Sequence, residues 1–570
     1  MKFLLTLLLG LLWLKSAAQT GIVVPELAHC DESMQQFMRK WNVLGASVAI
    51  TKDGQLAYER AFGYATAERN VPMQPYHLLR VASISKTVTA LAVMKLVEEG
   101  QLSLSHKVFG AEGYLQGASY LREMRDPRLR DITVQHLLEH SAGWDRNAGC
   151  DGYEGCDPID FPTHVAQVMR VPNPVGDSTI IRYMLRQGLS FAPGTRFAYS
   201  NVGYLVLGKV LEAVTHQPYE AWVQAHILHP SGVFEAHLGR NLPAARLERE
   251  SGYLSRYRML SCYNPGKQAP AAYGGFHMEA MGAHGGWLFS ARDLVRLTLA
   301  ADGFDSRPDL ISAETLSSMT QPSAKAAGYA KGWMVNGGTW WHTGQLDGTA
   351  CLVARTAGGH TWAILLNTSN GSPEFWQELK ALGWGWVKKA ATWPTHDLFP
   401  PAQNATHLWA SATDAAQIRL AWANGSGSRR LVLLKADGPS KAFPLDGQDY
   451  PTGSKLADGS IVAYNGTDST VELSHLSPRH TYHARVVEYR QEEATAQRPV
   501  YALDGNPVEI LPPLVLPQHP QFAFHRNHGS GPEDASGADQ ASAAPPSASR
   551  AYFLRIRRAW RRSLSHFVKL

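Results

Sequence analysis

Cysteine is scarce, with five residues in 570. The odd count leaves at least one thiol unpaired. None of the five closely follows the apolar N-terminal run, which argues against a lipid anchor there. Long apolar runs are also missing. Beyond the first fourteen residues no stretch is long and apolar enough to cross a bilayer. Arg550–Leu570 carries seven basic side chains and no acidic one. That tail accounts for the net charge of +5. The rest of the chain is close to neutral, so a basic nucleic-acid-binding body is not expected.

Met1-Lys-Phe-Leu-Leu-Thr-Leu-Leu-Leu-Gly-Leu-Leu-Trp-Leu begins with one positive residue and a short apolar core. With small residues at Ser16 and Ala18, residues 1–18 read as a secretory signal peptide cleaved before Gln19. The expected location is therefore secreted or periplasmic. An exported chain can keep disulfides, and Cys150-Asp-Gly-Tyr-Glu-Gly-Cys156 has the form of a small bridged loop. Cys351, inside Thr349-Ala-Cys-Leu-Val-Ala354, reads as a buried small residue rather than a reactive one.

The length calls for two or three domains, and 44% hydrophobic residues supply ample core. Ala46–Thr51 and Gln55–Phe62 flank Asp53-Gly54, a hairpin signal. Residues 85–300 are mostly helical with loops. Strand patterns return over 330–367, and a helix over Pro373–Ala390 closes the unit. Strands from both ends of residues 25–395 would form one antiparallel sheet around a helical insertion, an α+β fold. Trp393–Pro401 reads as a linker. Short strands punctuated by Gly, Asp and Pro over 401–510 suggest an all-β sandwich with Trp422 in its core. Residues 511–549, low in complexity from about 530, read as disordered linker. In 550–570, Phe553, Ile556, Trp560, Leu564 and Phe567 recur at helical steps between arginines, as in a basic amphipathic helix. Such a helix can contact anionic membranes or envelope polymers.

Three short segments carry chemistry. Ser83 and Lys86 stand three residues apart at the start of a helical stretch, where such positions share a face. A lysine can take a serine proton only if its own pKa is lowered by burial or positive charge. Further on come Tyr199-Ser-Asn201 and His342-Thr-Gly-Gln345. Ser-x-x-Lys, Tyr-x-Asn and His/Lys-Thr-Gly in this order resemble the serine β-lactamase and penicillin-binding-protein superfamily, in its class C-related branch. Ile132-Thr-Val-Gln-His-Leu-Leu-Glu-His-Ser-Ala-Gly143 and Ala283-His-Gly-Gly-Trp-Leu-Phe-Ser-Ala-Arg-Asp293 are similar to that family's connecting signatures. Leu476-Ser-Pro-Arg-His-Thr-Tyr482 resembles the corner of a fibronectin type III domain.

The resemblance implies an acyl-enzyme on Ser83, with Lys86 accepting or relaying its proton and Tyr199 as partner acid or base. Asn201 would orient Lys86 and donate to a substrate carbonyl. His342, Thr343 and Gly344 would form the edge strand along which substrate lies, with Gly344 allowing its close approach. The backbone N–H groups of Ser83 and Gln345 would make the oxyanion hole. Histidine in place of lysine at 342 weakens attraction for a carboxylate. That favours an ester or a peptide/amide, of the esterase or D-amino-acid-peptidase type, over a β-lactamase or D-Ala-D-Ala carboxypeptidase. A non-catalytic binding protein on a hydrolase fold is a further alternative. His136-Leu-Leu-Glu-His140 also spells an inverted zinc-peptidase pattern, so His136, Glu139 and His140 are an alternative metal set. The leading reading needs no metal or cofactor. Its partner is a small-molecule or peptide acyl substrate, and no ligand of the sandwich is assigned.

Overall fold

The computed structural model describes residues 19–414, 417–477, 479–491 and 498–503, and the short strand Leu514–Val515. The signal peptide expected over 1–18 and the amphipathic helix expected over 550–570 lie outside the described residues, as does most of the expected linker 511–549. Leu514–Val515, inside that segment, pairs antiparallel with Thr481 and Tyr482.

The main sheet has seven strands, in the order Gln19–Thr20, Gln55–Gly63, Gly45–Lys52, His360–Leu366, Thr349–Arg355, Thr339–Leu346, Met334–Asn336. Every neighbouring pair is antiparallel. The two ends of the domain meet where Ala46–Lys52 pairs with Leu366–His360, as the pattern of early and late strands requires. Seven of the eight residues of Gly45–Lys52 are buried, so this strand has no solvent face. Helix Ala291–Leu299 packs against it and against His360–Leu366. Helices Ala28–Trp41 and Pro373–Lys389 pack on each other, with Phe37 and Phe375 rings 5.2 Å apart. Asn42, in the left-handed region at φ 50°, ends the first of these.

Helix Ser85–Glu98 is buried along eleven of its fourteen residues. It has no polar face to give water, as expected of a central helix. Its neighbours include Asn201–Thr215 and the turn Gly282–Gly285. Those contacts bring distant parts of the helical insertion onto the Ser83 end of the helix.

Residues 393–401 differ from the expected linker. Leu398 and Phe399 belong to the main core, and Leu398 N–H donates to Leu56 O at 2.8 Å. Arg296 and Arg307 stack on the Phe399 ring, 4.7 and 4.6 Å from its centroid. Two apolar side chains inside a Pro-rich stretch suffice to dock it as a strap.

Beyond it lie two further sheets. One orders Thr406–Asp414, Gln417–Ala423 and Thr470–Leu473. The other orders Ile461–Gly466, Arg429–Ala436, Thr481–Arg490 and Val500–Tyr501. Ile418, Leu420 and Trp422 face inward against Val432, Leu434, Ala484 and Val486. The alternation along these strands thus yields a β-rich C-terminal unit with its own core. Arg292, wholly buried in the first domain, reaches both Glu59 at 3.4 Å and Asp446 at 3.5 Å, so the two units are joined by an ion pair.

Candidate active site

Ser83 sits in a single 3-10 turn, Ala82–Ile84, that runs into helix Ser85–Glu98. In that turn residues three apart eclipse, and Lys86 Nζ lies 3.1 Å from Ser83 Oγ. Ala82 adopts φ +48°. A non-glycine residue there stores strain of about 1–3 kcal/mol, and it stands immediately before the candidate nucleophile. Ser85 is different in kind. It is fully buried, and its Oγ accepts from Trp287 N at 3.1 Å.

Lys86 is buried and has three neighbours. Nζ donates to Asn201 Oδ1 and to His284 O, each at 2.8 Å, and its third direction faces Ser83. Neither of the first two partners is an anion. Burial, reinforced by the Arg146 guanidinium and opposed by Asp157, drives the Lys86 pKa well below 10.5. As a neutral amine Lys86 can satisfy both carbonyl oxygens with N–H bonds and aim its lone pair at the Ser83 hydroxyl.

Asn201 opens helix Asn201–Thr215, which Ser200 caps through its side chain on Gly203 N. Its Nδ2 donates to Asp157 Oδ2 at 2.8 Å. Because a carboxylate only accepts, this bond fixes the amide orientation that turns Oδ1 to Lys86. Asp157 also pairs with Arg146 at 3.1 Å. The disulfide Cys150–Cys156 closes the loop between Arg146 and Asp157, as its spacing suggests. Cys30, Cys262 and Cys351 are free and buried.

Tyr199 is half-buried beside this group, its ring centroid 4.9 Å from Lys86 Nζ. Burial raises its pKa, against the smaller downward pull of a hydrogen bond with Ser83 and of the Arg146 charge. The phenol therefore stays protonated. Of the two roles open to Tyr199, partner acid or base, a protonated phenol suits the acid.

Thr339–Leu346 pairs on one side with Thr349–Arg355. On the other side, among the described residues, only Thr339–Trp341 has a partner strand, and His342–Leu346 faces the Ser83 turn there. A Cβ on Gly344 would lie 2.1 Å from Val81 O and 2.6 Å from Cys351 Sγ. The glycine is thus required by the packing of the strand on the nucleophile turn, not only by an incoming substrate. Thr343 is buried at the edge, and Gln345 is half-buried next to it.

His342 departs from its expected place against substrate. It is 1% exposed, with Nδ1 on Thr343 O at 2.7 Å and Nε2 on Tyr329 Oη at 3.4 Å. Burial, with Lys86 nearby, lowers its pKa to about 3. It is neutral, and its ring meets the buried Tyr329 ring edge-on with centroids 6.1 Å apart.

His136, Glu139 and His140 do not converge. His136 Nδ1 caps its helix by accepting from Thr133 N, Glu139 pairs with Lys331 at 3.2 Å, and His140 turns to Tyr329. Among the described residues no group of three or more His, Cys, Asp or Glu could hold a metal ion.

Arg146, Asp157, His284 and Tyr329 were not singled out from the sequence. Asp157 and Arg146 act through contacts over long separations, and His284 acts through its main-chain oxygen, for which a sequence carries no signal.

The sequence profile of the Beta-lactamase family matches residues 30–383. Esterase EstB of Burkholderia gladioli is 32% identical over 223 residues, covering 36% of this chain and 50% of that protein. Penicillin-binding protein 4* of Bacillus subtilis (strain 168) is 27% identical over 212 residues, covering 36% of this chain and 41% of that protein. The chain thus spans about half, or less, of the length of these curated relatives. The crystal structure of a D-amino acid amidase from Ochrobactrum anthropi SV3 matches with a TM-score of 0.48 at 20% identity, over 64% of this chain and 99% of that one. With a family profile covering more than half its length and the Ser83, Lys86, Tyr199 and Asn201 side chains gathered at one helix end, the chain belongs to the beta-lactamase family.

Proposed function

We propose that the protein is a serine hydrolase that forms an acyl-enzyme on Ser83 and acts on esters or on peptides and amides without a free carboxylate. One observation carries this reading: Lys86 Nζ is bonded to two neutral acceptors and faces Ser83 Oγ at 3.1 Å, with its pKa lowered by burial. Ser83 Oγ attacks the carbonyl carbon while its proton passes to Lys86. The oxyanion is held by the N–H groups of Ser83 and Gln345. Tyr199, kept protonated, gives its proton to the leaving oxygen or nitrogen and recovers one from Lys86. The carbonyl ends up bonded to Ser83, and the leaving group departs as an alcohol or amine. Water then repeats the sequence in reverse roles and restores the enzyme.

The substrate class follows from what surrounds the serine. Position 342 offers a buried neutral imidazole, not a cation, to a substrate carboxylate. Ala82, Phe276, Met278, Met281 and Leu346 form a small apolar cluster of their own, and two of them adjoin Ser83 and Gln345 in sequence. A buried apolar cluster next to these two positions is compatible with an apolar acyl group beside them. A β-lactam or D-Ala-D-Ala substrate, which brings a carboxylate, fits less well. The name of the relative esterase EstB agrees with the first choice.

The test is competitive labelling with a fluorophosphonate and a fluorescent penicillin, with mapping of the modified residue. Fluorophosphonate should label Ser83, and Ser83→Ala should abolish labelling while keeping the fold. Label on any other residue, or none, rejects the reading.

The Cys150–Cys156 bridge supports export, because such bonds persist in oxidising compartments. The two C-terminal sheets, Trp422 in their core and the Tyr482 hydroxyl accepting from Ser477 N support a fibronectin type III-like sandwich. The basic segment 550–570 is proposed to hold the enzyme at anionic surfaces. Truncation after Pro546 should remove salt-sensitive binding to anionic vesicles, and equal pelleting of both forms would reject that role.

A further inference from the structure

Behind the catalytic group runs a second, wholly buried set of polar side chains that the mechanism above does not use. His140 Nδ1 accepts from Ser200 N at 3.2 Å, and His140 Nε2 lies 3.1 Å from Tyr329 Oη. Tyr329 Oη lies 3.4 Å from His342 Nε2, and His342 Nδ1 lies 2.7 Å from Thr343 O. The two ends are main-chain groups with fixed roles: Ser200 N can only donate, and Thr343 O can only accept. They settle the tautomers of both imidazoles. His140 carries hydrogen on Nε2 and gives it to Tyr329. His342 carries hydrogen on Nδ1, so its Nε2 is left to accept from the Tyr329 hydroxyl. Ser200 lies between Tyr199 and Asn201, and Thr343 lies between His342 and Gly344. The chain of bonds therefore joins the middle motif to the edge strand through neutral groups.

We propose that Tyr329 is a positioning residue, which through His140 and His342 holds the Tyr199–Asn201 segment and the His342–Gln345 strand in the spacing that acyl transfer needs. The inference rests on the serine-hydrolase reading. His140 stands at φ +55° in the turn that ends its helix, where its N–H donates to Leu137 O at 3.3 Å and Ser141 N–H to His136 O at 2.8 Å. Its ring also packs on Tyr199, Tyr204 and Tyr329, with centroids 4.3, 5.1 and 4.8 Å away. The groups facing the two imidazoles are the Lys86 amine, the Arg146 guanidinium, phenols and the other imidazole. Lys86, Arg146 and His342 face His140, Lys86 and Tyr329 face His342, and Tyr204 lies against Tyr329 while donating to Leu138 O at 2.8 Å. A proton on either ring would therefore add charge beside Lys86 and disturb the bonds.

The test uses the full chain and two variants. Tyr329→Phe removes only the hydroxyl. His140→Asn keeps an acceptor near Ser200 N and tolerates positive φ, yet severs the link to Tyr329. Each should lower kcat on a neutral ester, and the rate of Ser83 labelling by fluorophosphonate, about tenfold with KM nearly unchanged. The double variant should be no slower than the slower single one. Wild-type kcat and labelling rates in Tyr329→Phe, or losses that multiply in the double variant, overturn the proposal. If Tyr329→Phe does not fold, His140→Asn alone decides by the same kcat and KM readout. Failure of the wild-type protein to be labelled at Ser83 would instead refute the underlying hydrolase reading.

Discussion

Two buried cations, one in each half of the molecule, are handled in opposite ways. In the C-terminal sandwich Arg430 is paired with Glu488, Nε to Oε1 at 3.0 Å, and also donates to Thr467 O and Gly427 O at 2.6 and 2.9 Å. Glu488 in turn accepts from Gly425 N at 2.8 Å. Charge is cancelled on the spot, and the pair serves as a strut between strands Arg429–Ala436 and Thr481–Arg490. In the catalytic domain Lys86 is just as deeply buried, but its bonds go to an amide, a main-chain carbonyl and a hydroxyl. The nearest carboxylate, Asp157, stands one residue removed, behind Asn201, and is shared with Arg146. Burial with a counter-ion makes a structural ion, whereas burial without one makes a base, because the cheapest way to keep an unpaired ammonium inside a protein is to remove its proton.

Substituting the two cations should separate these roles. Lys86→Met should lower kcat by about a thousandfold or more, as loss of general-base help commonly does, with KM little changed. On stability two effects oppose each other: Asn201 Oδ1 and His284 O lose their donor, at about 1–3 kcal/mol each, while a buried lysine is removed. Folding lowers the Lys86 pKa from 10.5, so the unfolded chain binds that proton more tightly and the lysine costs stability at neutral pH. The cost is full below the lowered folded value and fades as pH rises to 10.5, where both states are neutral. In thermal melts wild type should therefore gain on Lys86→Met with rising pH. In wild type kcat/KM should rise with pH as Lys86 deprotonates. A large drop in melting temperature for Lys86→Met at pH 7 that does not grow with rising pH would mean that the lysine is a strut after all.

Arg430→Met should do the reverse. It leaves Glu488 buried without its cation, a loss of about 3–5 kcal/mol when one partner of such a pair is removed. Specific activity of the folded fraction on a soluble ester should stay at the wild-type value. Activity falling in step with stability would show that the sandwich supports the active site, through contacts such as Arg292 to Asp446.

The same contrast governs what could be read from the sequence. The strands of the main sheet follow from apolar periodicity and the Asp53-Gly54 turn, and appear at Gly45–Lys52 and Gln55–Gly63. Ser83 and Lys86 could be read because their contact is local, three residues apart. Tyr199 and Asn201 could be read because their motif is compact. His342 was placed correctly on its strand but not in its orientation, because nothing local tells an imidazole which side of Thr339–Leu346 is better packed. Residues 393–401 looked like a linker because Pro and polar residues dominate, and two buried side chains, Leu398 and Phe399, reversed that outcome. Asp157 and Tyr329 were illegible for the same reason that they matter: each closes a bond across 44 or more residues, and nothing beside it in sequence marks it.

The Cys150–Cys156 bridge tests the catalytic side of the comparison more gently. It closes a loop whose flanks hold Arg146 and Asp157. Replacing both cysteines by alanine should cost about 2 kcal/mol by loop-closure entropy. If the loop's geometry is what keeps Asp157 on Asn201, kcat on a neutral ester should also fall severalfold. Unfolding midpoints in urea and initial rates measure the two effects separately, and an unchanged rate would show that Asp157 is held by Arg146 alone.

The smallest effect is expected on the sandwich side, at Tyr482. Its hydroxyl accepts from Ser477 N at 3.0 Å, closing the corner that leads into strand Thr481–Arg490. Tyr482→Phe keeps the ring, which packs against the core that includes Trp422, and removes only the oxygen. The half-buried Ser477 N–H then loses its protein partner but can still reach water, so the cost should be about 1 kcal/mol. No charge is exposed or stranded, in contrast to Arg430→Met. Equilibrium urea unfolding of the full chain, followed by Trp fluorescence, should show a small shift in the sandwich transition and none in the labelling rate of Ser83. A loss as large as that of Arg430→Met would mean that the corner, and not the ion pair, is the main strut of the sandwich.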